Sequence, residues 1–236
     1  MKTIHYLFGI LFAFSLMIIL LITAVDIVAY RIPGYYRYEF TKHSSAQRVG
    51  MDMDELLEVK DQMMAYLKGE RESLSDISAN IRGEKDAFFF NEREIAHMED
   101  VRALFLRVVL LRRLLLLFAL LSAALIRIFG GRPLSVLPKA LAIGAGLFFL
   151  LISLLVALIA SDFSKYFIIF HQMFFDNDLW MLDPAVDNLI NIVPEGFFFE
   201  TAIFIAIVFS LLLALTLAGA GFIGRSAAGR KAKENH

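Results

Sequence analysis

Four long apolar stretches, Leu7 to Val28, Val108 to Ile128, Ala140 to Ala160 and Phe197 to Phe222, decide what this chain can fold into. A hydrocarbon core of about 30 Å is crossed by about 20 helical residues, and inside it every backbone amide must find its partner within its own segment. Each stretch meets that length. The expected fold class is therefore an all-α integral membrane protein with about four transmembrane helices. An apolar fraction of 58% and a mean hydropathy of +0.66 agree, since both exceed what a soluble domain carries. Lys2 gives the first stretch a basic start like that of a signal peptide. Its apolar run exceeds the ~7–15 residues of a signal core and no small-x-small site closes it, so it reads as a retained anchor.

The second stretch is interrupted at its start by Arg107, Arg112 and Arg113, and runs unbroken only from Leu114 to Ile126. Arginines at that depth either snorkel to the outer interface or face a polar cavity, where Arg112 and Arg113 could meet a lipid phosphate or carbonyl. Orientation follows from the basic residues that flank the spans. Lys2, then Arg127, Arg132 and Lys139, then Arg225, Arg230, Lys231 and Lys233 fall on one side, expected to be the cytoplasm. The opposite segments are acidic: Ser161 to Glu200 holds seven carboxylates against Lys165 alone. The expected division is a first span at 1–29, an external domain at 30–102, a second span at 103–129 and a cytoplasmic loop at 130–139. A third span at 140–160, an external interfacial segment at 161–196, a fourth span at 197–223 and a cytoplasmic tail at 224–236 complete it.

Within the first external segment, Pro33-Gly34 marks a turn in an aromatic stretch suited to an interface, and Asp52 to Leu67 reads as an amphipathic helix. A polar loop is expected around Glu70 to Asp86. The next helix has a marked start, because Asn91 can cap it, Glu94 can complete a capping box and Phe90 can staple onto Ile95. Nothing between there and the second span breaks a helix, so one long helix is expected from Glu92. In the second external segment, Phe163, Tyr166, Phe167, Phe170 and Phe174 share a broad helical face, which suits a helix lying in the interface plane.

Cysteine is absent, which excludes a thiolate metal site, a disulfide and a cysteine nucleophile. A formal charge of −1 gives no nucleic-acid signature. Two constellations remain. Glu94, His97 and Asp100 are spaced by three residues along one helix side, where a carboxylate can orient an imidazole for general-base work. The same spacing suits an ordinary solvated face. His171, with Asp176, Asn177, Asp178 and Trp180, forms the second, and a histidine among bulky apolar residues can equally be a packed one. His5, His43 and His236 lie near a terminus or in a loop and are less promising. Glu-x-x-His occurs without the second copy that a di-iron site needs, there is no His-Glu-x-x-His, and the aspartates from Asp176 lack the glycine of a calcium loop. No metal or other cofactor is expected. Gly-x-Ser-x-Gly is missing too, which leaves a serine hydrolase without support.

Three blocks carry a resemblance. Phe90 to Val101, Phe170 to Trp180, and Asp187 to Phe199 with its Val193-Pro194-Glu195-Gly196-Phe197-Phe198 core resemble the bacterial lipoprotein intramolecular transacylases and related multi-pass membrane proteins. The order of one span, an external segment, two spans, a second external segment and a last span is similar as well. The resemblance implies a bacterial plasma-membrane enzyme that moves the sn-2 acyl chain of a diacylglyceryl lipoprotein to the α-amine of that protein's N-terminal cysteine, leaving a lyso-form lipoprotein. It implies that His97 and His171 are the functional histidines, with diacylated lipoproteins and membrane lipid as partners. Glu94, Asp100, Asn177, Asp178 and Trp180 would support them. The alternatives are an intramembrane lipid or peptide hydrolase, and a non-enzymatic lipid-binding membrane protein.

Overall fold

The computed structural model describes residues 2–234, with side chains from 4 to 226, so His236 lies outside the described residues. The helices are α1 (Lys2–Tyr30), α2 (Tyr35–Lys42), α3 (Ser45–Val49), α4 (Met53–Lys68), α5 (Glu92–Ile128), α6 (Pro133–Ser161), α7 (Phe163–Phe174), α8 (Asn188–Ile192) and α9 (Glu195–Glu234). Strands β1 (Ser78–Ile81) and β2 (Glu84–Phe88) form one antiparallel hairpin between α4 and α5. Four helices are long and apolar enough to cross a membrane, over Ile4–Tyr30, Glu92–Ile128, Pro133–Ser161 and Glu195–Ser226. The chain divides into two compact units, one of Met1–Ile27, Val109–Ser161 and Ile205–His236, the other of Val28–Val108 and Asp162–Phe204.

The first unit is built as a membrane protein must be. Its core gathers Ala13, Met17, Ala24, Leu141, Ala145, Phe148, Phe209 and Leu213. Between α1 and α6 the approach is set by small residues: a Cβ on Gly144 would stand 2.6 Å from the Ala13 Cβ, and one on Gly9 would stand 2.8 Å from that of Ala140. Helices in lipid lack a hydrophobic force between them, so such close backbone contact is what holds them. Hydroxyls inside the helices bond back one turn, Ser15 to the Leu11 carbonyl at 2.9 Å and Ser122 to that of Phe118 at 2.9 Å, which satisfies these donors within their own helices. Large side chains such as Leu120, Leu150 and Leu215 point outward, as lipid-facing residues do.

The second unit has a conventional core of Phe40, Val49, Leu56, Leu74, Ile77, Phe89 and Ile192. Helix α4 begins where Asp52 accepts the Asp54 amide at 2.8 Å and ends on Gly69 at a φ of 81°, the left-handed conformation that glycine adopts without strain. Its buried face is Leu56, Val59, Met63, Met64, Tyr66 and Leu67, in line with the expected amphipathic helix. A hairpin takes the place of much of the expected loop at 70–86. Its two-residue turn is Arg82-Gly83, with φ of 52° and 86°, the primed turn geometry that matches strand twist. Only Ala79 and Ile81 of β1 face inward, and the arginine lacks the Asn-Gly or Asp-Gly signature, so the alternation was too short to register as a strand.

Candidate active site

The beginning of α5 is fixed by a reciprocal pair. Asn91 accepts the Glu94 amide at 3.0 Å, and the Glu94 carboxylate accepts the Asn91 amide at 2.8 Å. The other Glu94 oxygen accepts the backbone amide of Leu189, in the first turn of α8, at 2.5 Å. Burial raises the stakes, because Glu94 is 1% exposed. Both of its oxygens are therefore engaged with backbone, and Glu94 acts as a brace between α5 and α8. Asp187 reinforces the same joint, accepting from the Asn91 side chain at 2.7 Å and from the Asp183 amide at 2.6 Å. Asn188 adds a bond from its side chain to the Phe89 carbonyl at 2.8 Å. Asn91, Asp187 and Asn188 were not singled out as site residues, since what they do depends on contacts across about a hundred residues of chain that spacing alone does not display.

One turn along α5, His97 is buried against Phe175, its ring 5.4 Å away in an edge arrangement, and 6.2 Å from the ring of His171. The Nδ1 of His97 is buried with no hydrogen-bond partner among the described residues. His171, near the end of α7, has a defined tautomer: its Nδ1 lies 2.7 Å from the Phe167 carbonyl, one turn back. A carbonyl only accepts, so Nδ1 carries the proton, and in the neutral ring Nε2 is left as a basic lone pair. Burial pushes the pKa of His171 down, and the bond to Phe167 opposes this only in part. Aromatic rings surround it: Phe167 at 4.2 Å, Phe170 at 5.5 Å, Phe175 at 5.6 Å and Trp180 stacked at 4.8 Å.

The segment after α7 is tied down over this pair. Asp100 accepts from the Asn177 side chain at 2.8 Å, and Arg93 donates to the Asp178 carbonyl while its guanidinium lies 3.5 Å from the Asp178 carboxylate. Asn177 also accepts the Leu179 amide at 3.1 Å, and its carbonyl accepts the Trp180 indole N–H at 2.9 Å. Asp100 and Asn177 therefore act together as a latch that places Trp180 on His171, with Asp178 beside them. Asp176 is exposed and carries no such bond among the described residues. Of the two arginines considered for lipid, Arg112 is half-buried and Arg113 exposed, both on the part of α5 that belongs to the first unit. A cleft of about 450 Å³ bounded by Tyr30, Pro33, Tyr36, Lys60 and Lys68 is lined by neither histidine. The pair is thus two imidazoles in an aromatic setting, chemically able to accept and return a proton without a nucleophilic side chain.

Among curated proteins, none matches the chain. Solved structures do. The chain is similar to the membrane integral lipoprotein intramolecular transacylase Lit from Bacillus cereus, at 18% identity and a TM-score of 0.74, over 97% of this chain and 99% of that one. It is also similar to variants of that protein in which a histidine is replaced by alanine, with a TM-score of 0.74, or by arginine, with a TM-score of 0.71, each over 96% of both chains at 18% and 19% identity. Such identity speaks for the fold of four spanning helices and a second unit. The model of the family described as lipoprotein intramolecular transacylase Lit matches residues 10–198, most of the chain and all of the histidine centre. This membrane protein belongs to the lipoprotein intramolecular transacylase family.

Proposed function

We propose that the chain transfers the sn-2 acyl group of a diacylglyceryl lipoprotein to the α-amine of that lipoprotein's N-terminal cysteine, by histidine acid–base catalysis and with no covalent acyl-enzyme. The observation that carries this reading is the tautomer of His171, whose Nδ1–H is held by Phe167 so that Nε2 is a free base beside His97. In the reaction the amine nitrogen attacks the ester carbonyl and loses a proton to Nε2. The tetrahedral oxyanion collapses, the bond to the glyceryl oxygen breaks, and the same proton passes to that oxygen. His97, whose Nδ1 has no partner among the described residues, would donate to the oxyanion or hold the amine. Donor and acceptor belong to one substrate, so the protein's contribution is largely positioning, and the absence of any cysteine is no handicap.

In the same reading the unit that holds the histidines faces outward, both termini are cytoplasmic, and the reaction occurs at the outer leaflet of a bacterial plasma membrane. The basic flanks of the spans support that orientation. The test is mass spectrometry of the N-terminal peptide of a reporter lipoprotein, made with and without the chain. A lyso-form product of unchanged mass, with its acyl chain moved from glycerol to nitrogen, is expected. Loss of the acyl mass as free fatty acid would replace the proposal with a hydrolase, and an unaltered reporter would remove the activity.

A further inference from the structure

A second cluster of ionisable groups lies in the same unit and shares no residue with the histidine pair. Glu39 on α2 and His43 at its C-terminal cap stand four residues apart, and Glu200 comes from the first turns of α9. Glu39 is wholly buried, and neither of its carboxylate oxygens has a hydrogen-bond partner among the described residues. The same is true of His43 Nε2 and of one Glu200 oxygen. Lys42 accounts for the other Glu200 oxygen, with its ammonium 2.8 Å from Oε1. A carboxylate with no donor in so closed a place costs free energy unless a positive charge or a proton joins it.

The geometry suits a cation better than a direct bond between the groups. His43 Nε2 lies 3.6 Å from a Glu39 oxygen and 3.4 Å from a Glu200 oxygen, too far for a good hydrogen bond in either case. Ligands bound at about 2.0–2.1 Å around a tetrahedral ion are separated by about 3.3 Å, which is close to these spacings. One atom from each of the three residues falls within 4.8 Å of the others. Placement of the imidazole depends on Gly196, where a Cβ would come 2.8 Å from His43 Cε1. Two carboxylates, one of them already paired with Lys42, and a neutral imidazole leave a net negative charge for a cation to offset. The mixed oxygen and nitrogen set selects against magnesium and calcium, which prefer oxygen alone.

We propose that Glu39, His43 and Glu200 form a binding site for one divalent cation of the zinc or manganese class, which clamps α2 to the start of α9. Its ligands are one oxygen of each glutamate and His43 Nε2, with solvent completing the coordination.

The test uses purified full-length protein stripped with EDTA and titrated with zinc chloride or manganese chloride, read by calorimetry and by thermal unfolding. About one cation per chain and a rise in melting temperature on adding it are expected. Glu39→Gln and His43→Asn should each weaken binding at least tenfold and abolish the rise, while His171→Ala keeps both. Two substitutions are used so that failure of one to fold leaves the other to decide. The proposal is overturned if the parent binds neither ion, or if both ligand variants that fold bind as the parent does. It is equally overturned if His171→Ala is the variant that loses the ion.

Discussion

The indole of Trp180 lies over the imidazole of His171, centroids 4.8 Å apart and planes 29° from parallel, and is held there by its own bond to the Asn177 carbonyl. The stacked ring covers one face of the imidazole. In the proposed reaction that cover would help keep water from competing with the amine.

His171→Ala is expected to lower reporter conversion by about 100- to 10,000-fold, the contribution of a positioned general base, with the protein still folded and membrane-inserted. His97→Ala should fall in the same range. Residues that serve one transition state are not additive, so the double variant should lose little more than the worse single one. Multiplicative losses, accompanied by a lower melting temperature in His97→Ala alone, would make His97 a packing residue. Conversion rates of the four proteins at equal membrane abundance decide between these.

The lowered pKa of His171 sets a pH profile. Its ordinary value is 6.5, and burial moves the folded value below that. The free base therefore persists under mildly acidic conditions, and the acid limb of the rate profile should lie below pH 6.5. For stability the sign is the same: the unfolded chain binds the proton first, so the contribution of the buried neutral ring is full above about 6.5 and lost as pH falls through the folded value. An acid limb centred above 6.5 would contradict the buried, neutral assignment.

Glu94→Ala should damage stability more than chemistry. It strips acceptors from the Asn91 and Leu189 amides, and a buried donor left unsatisfied costs about 1–3 kcal/mol. Denaturation midpoints should fall, while the rate per folded molecule changes far less than in His171→Ala. A rate loss as large as that of His171→Ala, with stability intact, would return Glu94 to the chemistry.

The proposed orientation is tested by single cysteines in a chain that has none. Gly50 is a poor site, because its φ is 65° and a Cβ there would come 2.9 Å from the Arg82 side chain. Lys85, exposed on β2, and Arg132, exposed before α6, are better. In intact cells an impermeant thiol reagent should label Lys85→Cys and spare Arg132→Cys. The reverse pattern would invert the topology.

What the sequence displays is local. The spans follow from apolar run length, the start of α5 from Asn91 and Glu94 three residues apart, and α4 from the spacing of Leu56, Val59, Met63 and Leu67. Both blocks bearing His97 and His171 stood out, whereas the Asn177 to Asp100 bond that helps tie them together joins positions 77 apart. The second role of Glu94 was hidden for the same reason, its partner being Leu189. His43 read as a loop residue, whereas it caps α2 and faces Glu39 one turn earlier. That i, i+4 pair was there to be seen; Glu200, from a different helix, was not.

The bond from Leu189 to Glu94 also bears on the order of assembly. When residues 28–108 have left the ribosome, Glu94 can satisfy Asn91 but nothing yet occupies its second oxygen, because α8 follows α6 and α7 in the chain. Burial of that carboxylate must wait until most of the protein has been synthesised, since an unpaired charge resists leaving water. One side chain thus makes closure of the unit that holds the histidines a late event, and an interrupted or truncated nascent chain carries a histidine pair that has not yet closed.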